Sequence, residues 1–150
     1  MIDYYLNMAA EEAARGVRSN AGGPFGAVIC DSKGRVISCC HNTVLATHDP
    51  TNHAEVVAIR DACFKLGTHD LSGCTIYSSC EPCPMCLSAI IWANIESVYC
   101  GASRVDCENI GFRDKAIYDY INGKNDMIKV EKISNKKCVD VLNEYSKEVY

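Results

Sequence analysis

Apolar residues recur at steps of three and four through Ile2, Leu6, Ala9 or Ala10, Ala13 and Val17, which predicts an amphipathic helix from about Ile2 to Ser19. Gly22, Gly23 and Pro24 end it. The period then changes. Ala27 to Cys30 and Val36 to His41 are short β-rich runs separated by the turn residues Asp31-Ser32-Lys33-Gly34, which predicts a hairpin. After Asp49-Pro50-Thr51-Asn52 a second periodic stretch runs to Leu66-Gly67, with Thr51 or Asn52 as its cap and Gly67 as its stop. A strand at Cys74 to Ser78, a helix from about Cys83 to Ala93 and a strand at Ser97 to Tyr99 follow, an order that predicts a parallel crossover. Further on, Asp114 to Ile121 reads as a short helix and Asn122-Gly123 as a break. Met127 to Ile133 reads as a strand, and Lys137 to Glu148 as a helix with Val141, Leu142 and Tyr145 on one face. No internal repeat appears, and the sum is one layered α/β domain over residues 1–150.

Composition narrows what such a domain binds. A chain of 150 residues, 48% hydrophobic and 23% charged, is long enough for one core and too apolar for disorder. A net charge of -4, spread along the chain, supplies no field for a phosphate backbone, so nucleic acid is disfavoured and a small or neutral ligand expected. Met1 to Ala10 lacks the basic-then-apolar order of a secretion signal, and no run approaches the roughly 18 apolar residues of a membrane span. The eleven cysteines are therefore expected to be reduced thiols in a cytoplasmic protein. Cys30, Cys39, Cys63, Cys74 and Cys100 are expected to pack as small hydrophobes, and Trp92 and Tyr99 to pack as well.

Candidate chemistry concentrates in His53-Ala54-Glu55 and Pro82-Cys83-Pro84-Met85-Cys86. One imidazole and two thiolates are three zinc ligands, which leaves a fourth tetrahedral position for water. The two-residue gap puts Cys83 and Cys86 about one helical turn apart, at a helix start whose free amides favour thiolate. Glu55, two residues after His53, can reach bound water without being a ligand and act as its proton acceptor. Two blander readings stand beside this one. Cys83 and Cys86 could be a redox or packing pair, with His53 on the surface and Glu55 in a helix cap. Alternatively the zinc is structural, with Cys80 or His41 as its fourth protein ligand.

The pairing of His-x-Glu with Pro-Cys-x-x-Cys is a signature of zinc nucleobase deaminases. On it the chain resembles the cytidine and deoxycytidylate deaminase superfamily, and within that the bacterial guanine deaminases. The narrower resemblance rests on Gly22-Gly23-Pro24-Phe25-Gly26-Ala27-Val28-Ile29, Asn42, Asp49 to Val56, Ser79 to Leu87 and Gly111-Phe112-Arg113-Asp114 in that order. It implies a three-layer cytidine-deaminase-like fold with a mixed five-stranded sheet flanked by helices. It also implies one Zn2+ per subunit on His53, Cys83 and Cys86, Glu55 as proton shuttle, Asn42 binding the base, and Asp114 assisting recognition or proton transfer. The implied reaction is guanine and water to xanthine and ammonia. The implied assembly is a homodimer that exchanges about residues 122–150, with Tyr150 closing the partner's pocket.

An Asn suits a mixed donor and acceptor edge, and Asp114 suits ring N–H or amino donors. Left to the residues alone, Asn42 is also a turn former and Asp114 a helix N-terminal carboxylate. Phe25 and Phe112 are candidates to flank the ring or to be core. The pattern departs from the resemblance at Arg104 to Asn109 and after Ile121. That keeps guanosine, cytosine, and pterin or triazine rings as alternative substrates. It also keeps transfer-RNA adenosine as an alternative, since those deaminases share His53-Ala54-Glu55 and Pro82-Cys83. A non-catalytic zinc module is the reading from another class.

Overall fold

The computed structural model describes all 150 residues, Met1 to Tyr150. Helix α1 (Ile2–Arg18) leads into strands β1 (Gly26–Cys30) and β2 (Val36–His41), then the short helix α2 (Val44–Thr47) and helix α3 (Ala54–Leu66). Strand β3 (Thr75–Cys80), helix α4 (Pro84–Trp92) and strand β4 (Ser97–Ala102) form the expected crossover. Helices α5 (Arg104–Asn109), α6 (Asp114–Ile121) and α7 (Lys136–Glu144) complete the chain. The sheet order is β2-β1-β3-β4, with β1 antiparallel to both neighbours and β3 parallel to β4.

The two-residue period of β1 explains the layering. Ala27 and Ile29 face a core with Ala54, Ala58, Ala62, Leu71 and Ile90, contributed by α3, α4 and their connections. Val28 and Cys30 face the opposite side, against Tyr5 and Ala9 of α1 and Tyr77 of β3. Helices on both faces leave β1 wholly buried, which is why it reads as an unbroken apolar run.

Helix α1 sits one position round from the stripe read in the sequence. Its buried residues are Tyr5, Ala9, Ala13 and Gly16, whereas Ile2 and Val17 are exposed. The cause is close approach: a Cβ on Gly26 would overlap the carbonyl of Ala9, so only small side chains fit between α1 and β1.

Two further expectations are corrected. The mixed sheet has four strands, not five, because Met127 to Ile133 forms no strand. The β-prone residues there meet no sheet edge, and Met127, Ile128, Val130 and Ile133 remain exposed. Among the packing residues, Cys30 and Cys74 are buried, but Cys100 is exposed on the edge strand β4 and Trp92 is 65% exposed. All eleven cysteines are free thiols. No helix is long and apolar enough to cross a membrane.

Candidate active site

Helices α3 and α4 begin side by side, and each is capped by a candidate ligand. His53 is the N-cap of α3. Cys83 is the N-cap of α4, where Pro84 occupies the first turn and the Cys83 sulfur accepts the Cys86 amide at 3.5 Å. Amides left free at a helix start thus favour negative charge on this sulfur.

The three donor atoms converge. His53 Nδ1 lies 3.5 Å from both the Cys83 and the Cys86 sulfur, and all three ligand atoms fall within 4.8 Å of one another. Tetrahedral zinc, with Zn–S near 2.3 Å and Zn–N of about 2.0–2.1 Å, demands an N···S separation of about 3.6 Å. The donor set therefore fits zinc in both chemistry and spacing. Cys80 and His41 do not join it. The Cys80 thiol points to the Ser103 carbonyl at 3.5 Å, and His41 Nδ1 pairs with Glu12 of α1 at 2.7 Å. A fourth protein ligand from either is thereby removed.

Charge in this cluster is shared unevenly between the two thiols. A hydrogen bond from the Cys86 thiol, supported by His53, holds Cys83 well below the ordinary thiol value. Cys86 is pushed up in turn, by sharing its proton with Cys83 and by burial. The hydrogen bond to Cys83 raises His53.

Glu55 lies in the first turn of α3, only 6% exposed. Its Oε1 accepts from the Ser78 hydroxyl at 2.9 Å, and burial raises its pKa above the ordinary carboxyl value. Ser78 is in place because β3 alternates: Ile76 and Ser78 share a face, and Tyr77 takes the other.

A small cleft opens over these groups. His53, Glu55 and Cys83 form its floor, and Asn42, Asp114, Phe25 and Phe112 line it with Cys80 and Glu81. Asn42 follows β2 directly and is buried. Its Oδ1 accepts the Val44 amide at 2.9 Å, which leaves its NH2 group without a protein partner. The residue is thus both turn former and cavity lining. Gly22 is required beside it, since a Cβ there would overlap the Asn42 amide oxygen. Phe25 and Phe112 touch edge to face at 4.9 Å between centroids, so they form one wall and no ring lies between them. Asp114 opens α6, and its Oδ2 accepts the Cys107 thiol at 3.6 Å. Burial, then the negative charge at Cys83, pushes Asp114 up.

Tyr150 does not reach this cleft within its own chain. It packs against His69 and Trp92, with ring centroids 5.7 and 6.2 Å away. Sequence reasoning missed Ser78, Glu81 and Cys107 as site residues. Strand alternation could have found Ser78, but no local signal marks the other two.

Residues 1–102 match the model of the cytidine and deoxycytidylate deaminase zinc-binding region. The chain belongs to this family. Its members' zinc centre is accounted for here by His53, Cys83 and Cys86, and the chain is 48% identical over 118 residues to a guanine deaminase of Bacillus subtilis, covering 79% of this chain and 75% of the relative. The X-ray structure of guanine deaminase from Bacillus subtilis superposes with a TM-score of 0.89 at 37% identity, over 99% of this chain and 97% of that one. A tRNA-specific adenosine deaminase of Aquifex aeolicus is 43% identical over 96 residues, covering 64% of this chain and 62% of the relative. Likeness to the guanine enzyme thus extends through the C-terminal segment.

Proposed function

We propose that the protein hydrolyses guanine to xanthine and ammonia in the cytoplasm. The observation that carries this reading is the full-length likeness to a guanine deaminase, tail included, over a cleft holding two carboxylates and a free amide donor. Zinc held by His53, Cys83 and Cys86 supplies Lewis-acid activation of water. The chain's own residues do the rest. Asn42 donates its NH2 to the base edge, and Asp114 accepts from ring N–H or amino groups. Glu55 takes one proton from the attacking water and delivers it to N3, then passes the second, from the hydroxyl now on C2, to the departing amine, a task suited to a carboxylate whose pKa burial raises above the ordinary carboxyl value. Water adds at C2, the C2–N bond breaks, and the amino group leaves as ammonia. The Phe25 and Phe112 wall supports the ring from one side.

The single domain of residues 1–150 is proposed to act as a homodimer exchanging residues 122–150, so that Tyr150 closes the partner's cleft. Exposure of Leu142, Val141 and Ile133 within one chain supports this. The test incubates zinc-loaded protein with guanine, guanosine, cytosine and an anticodon stem-loop and follows ammonia. Dominant release from guanine is expected. Dominant release from the stem-loop would overturn the reading in favour of transfer-RNA adenosine deamination, and none from any substrate would make the zinc centre structural.

A further inference from the structure

The segment Glu81-Pro82-Cys83 belongs to no helix or strand, yet it carries a metal ligand and an edge of the cleft. Its own backbone gives it one sheet-like bond, from the Glu81 amide to the Ala102 carbonyl at 2.8 Å. Beside the bonds that cap α4 at Cys83, four side-chain contacts fasten it. The Glu81 carboxylate accepts the Arg104 backbone amide on one oxygen and the Arg104 guanidinium on the other, both at 2.8 Å. The guanidinium carbon stacks 3.7 Å from the centroid of Tyr118. The Tyr118 hydroxyl donates to the Pro82 carbonyl at 2.8 Å, closing the circuit one residue before Cys83.

This circuit joins parts of the chain with different tasks. Tyr118 is one helical turn along from Asp114 on α6, and Arg104 opens α5, which supplies the Cys107 thiol to Asp114. We infer that Arg104 and Tyr118 are positioning residues: they fix the metal-ligand segment against the α6 wall, so that Glu55 and Asp114 meet one ring in register. The inference rests on the proposed role of Asp114.

Stability alone does not explain the arrangement. The Arg104–Glu81 pair is about a third exposed, and ion pairs so exposed add little to folding. The Arg104 Nε is buried with no partner, so the guanidinium keeps its place over Tyr118 at the expense of one hydrogen bond. Shared orientation of two functional groups is the gain that remains, and misplacement of about 1 Å in such a site can slow turnover about 100-fold.

The test is a double-mutant cycle on the zinc-loaded protein. Tyr118→Phe removes one oxygen and keeps the ring, and Arg104→Gln removes the charge. Each is made alone and with Asp114→Ala. Each single change is expected to lower kcat/KM for guanine about tenfold, mostly through kcat, with zinc content and Tm near the parent values. With Asp114→Ala already present, the same changes should lower it less than about twofold, because the group they align is gone. Arg104→Lys, which restores charge without the planar fork, should recover only part of the loss. Penalties that multiply in full across the cycle, or that track loss of zinc, would overturn the inference. Should Arg104→Gln fail to fold, Tyr118→Phe decides. If the parent acts on another ring but not guanine, the guanine reading fails while the cycle, run on that ring, still judges the clamp. A parent that turns over none of the rings would remove both.

Discussion

From Ile2 to Ile121 the chain contains every buried residue of the molecule, the last being Cys107; from Asn122 to Tyr150 it contains none. Yet the two regions draw on similar apolar residues. Helix α3 turns Ala54, Ala58 and Ala62 onto the sheet, whereas α7 leaves Val141 and Leu142 exposed, Leu142 at 75%. An apolar stripe is a statement about a neighbour, and α7 has an amphipathic pattern without one in its own chain. The body makes its own core and site; the tail leaves its apolar face uncovered.

The sharpest division between the regions is chemical. Glu55→Gln, confined to the body, should lower turnover of guanine about 10³-fold, while zinc content and assembly mass stay at parent values. An unchanged rate, read by ammonia release, would take Glu55 out of the reaction. Next in size is an attack on the tail alone. Leu142→Glu should shift the sedimenting mass from a dimer toward the 16.5 kDa chain and lower turnover about tenfold or more. A parent that already sediments as a single chain would break the comparison, since the tail would then need no second copy.

Tyr150→Ala refines it further. If Tyr150 covers the partner's cleft, KM for guanine should rise about fivefold with kcat less affected, and Trp92→Ala should leave KM near the parent value. Equal small losses of Tm from both variants, with KM unmoved, would instead assign Tyr150 to the Trp92 surface of its own chain. The smallest effect is electrostatic. Burial raises the pKa of Asp114 in the folded chain above its ordinary 3.8, so between that value and the raised one the native state holds more proton than the unfolded chain. Stability accordingly falls as pH rises through this window, and Asp114→Asn should flatten that slope in Tm measured against pH. A slope identical to the parent's would mean that the carboxylate ionises as it does in water.

What could be read without coordinates follows the same division. The hairpin, the β3-α4-β4 crossover and the trio His53, Cys83 and Cys86 were legible because their signals are local: turn residues, period, and ligands at helix starts. The orientation of α1 was not, since it depends on how closely Gly26 lets the helix approach. Helix α5 was passed over although Ser103 and Asp106 form a capping box, a signal available in the sequence. The strand expected at Met127 to Ile133 failed because β propensity names no partner edge. Glu81, Arg104 and Tyr118 were invisible as a set, being brought together only when α5 and α6 fold back over the ligand segment.

Alternation along β3 also limits how this enzyme can change length. One residue inserted between Tyr77 and Ser78 would send the Ser78 hydroxyl into the layer beneath α1 and take it from the Glu55 carboxylate. Growth is tolerable instead ahead of the strand, at Gly73, whose positive φ marks a turn with open space around it. Drift in chain length among descendants of this sequence should gather there and spare the six residues that follow Cys74.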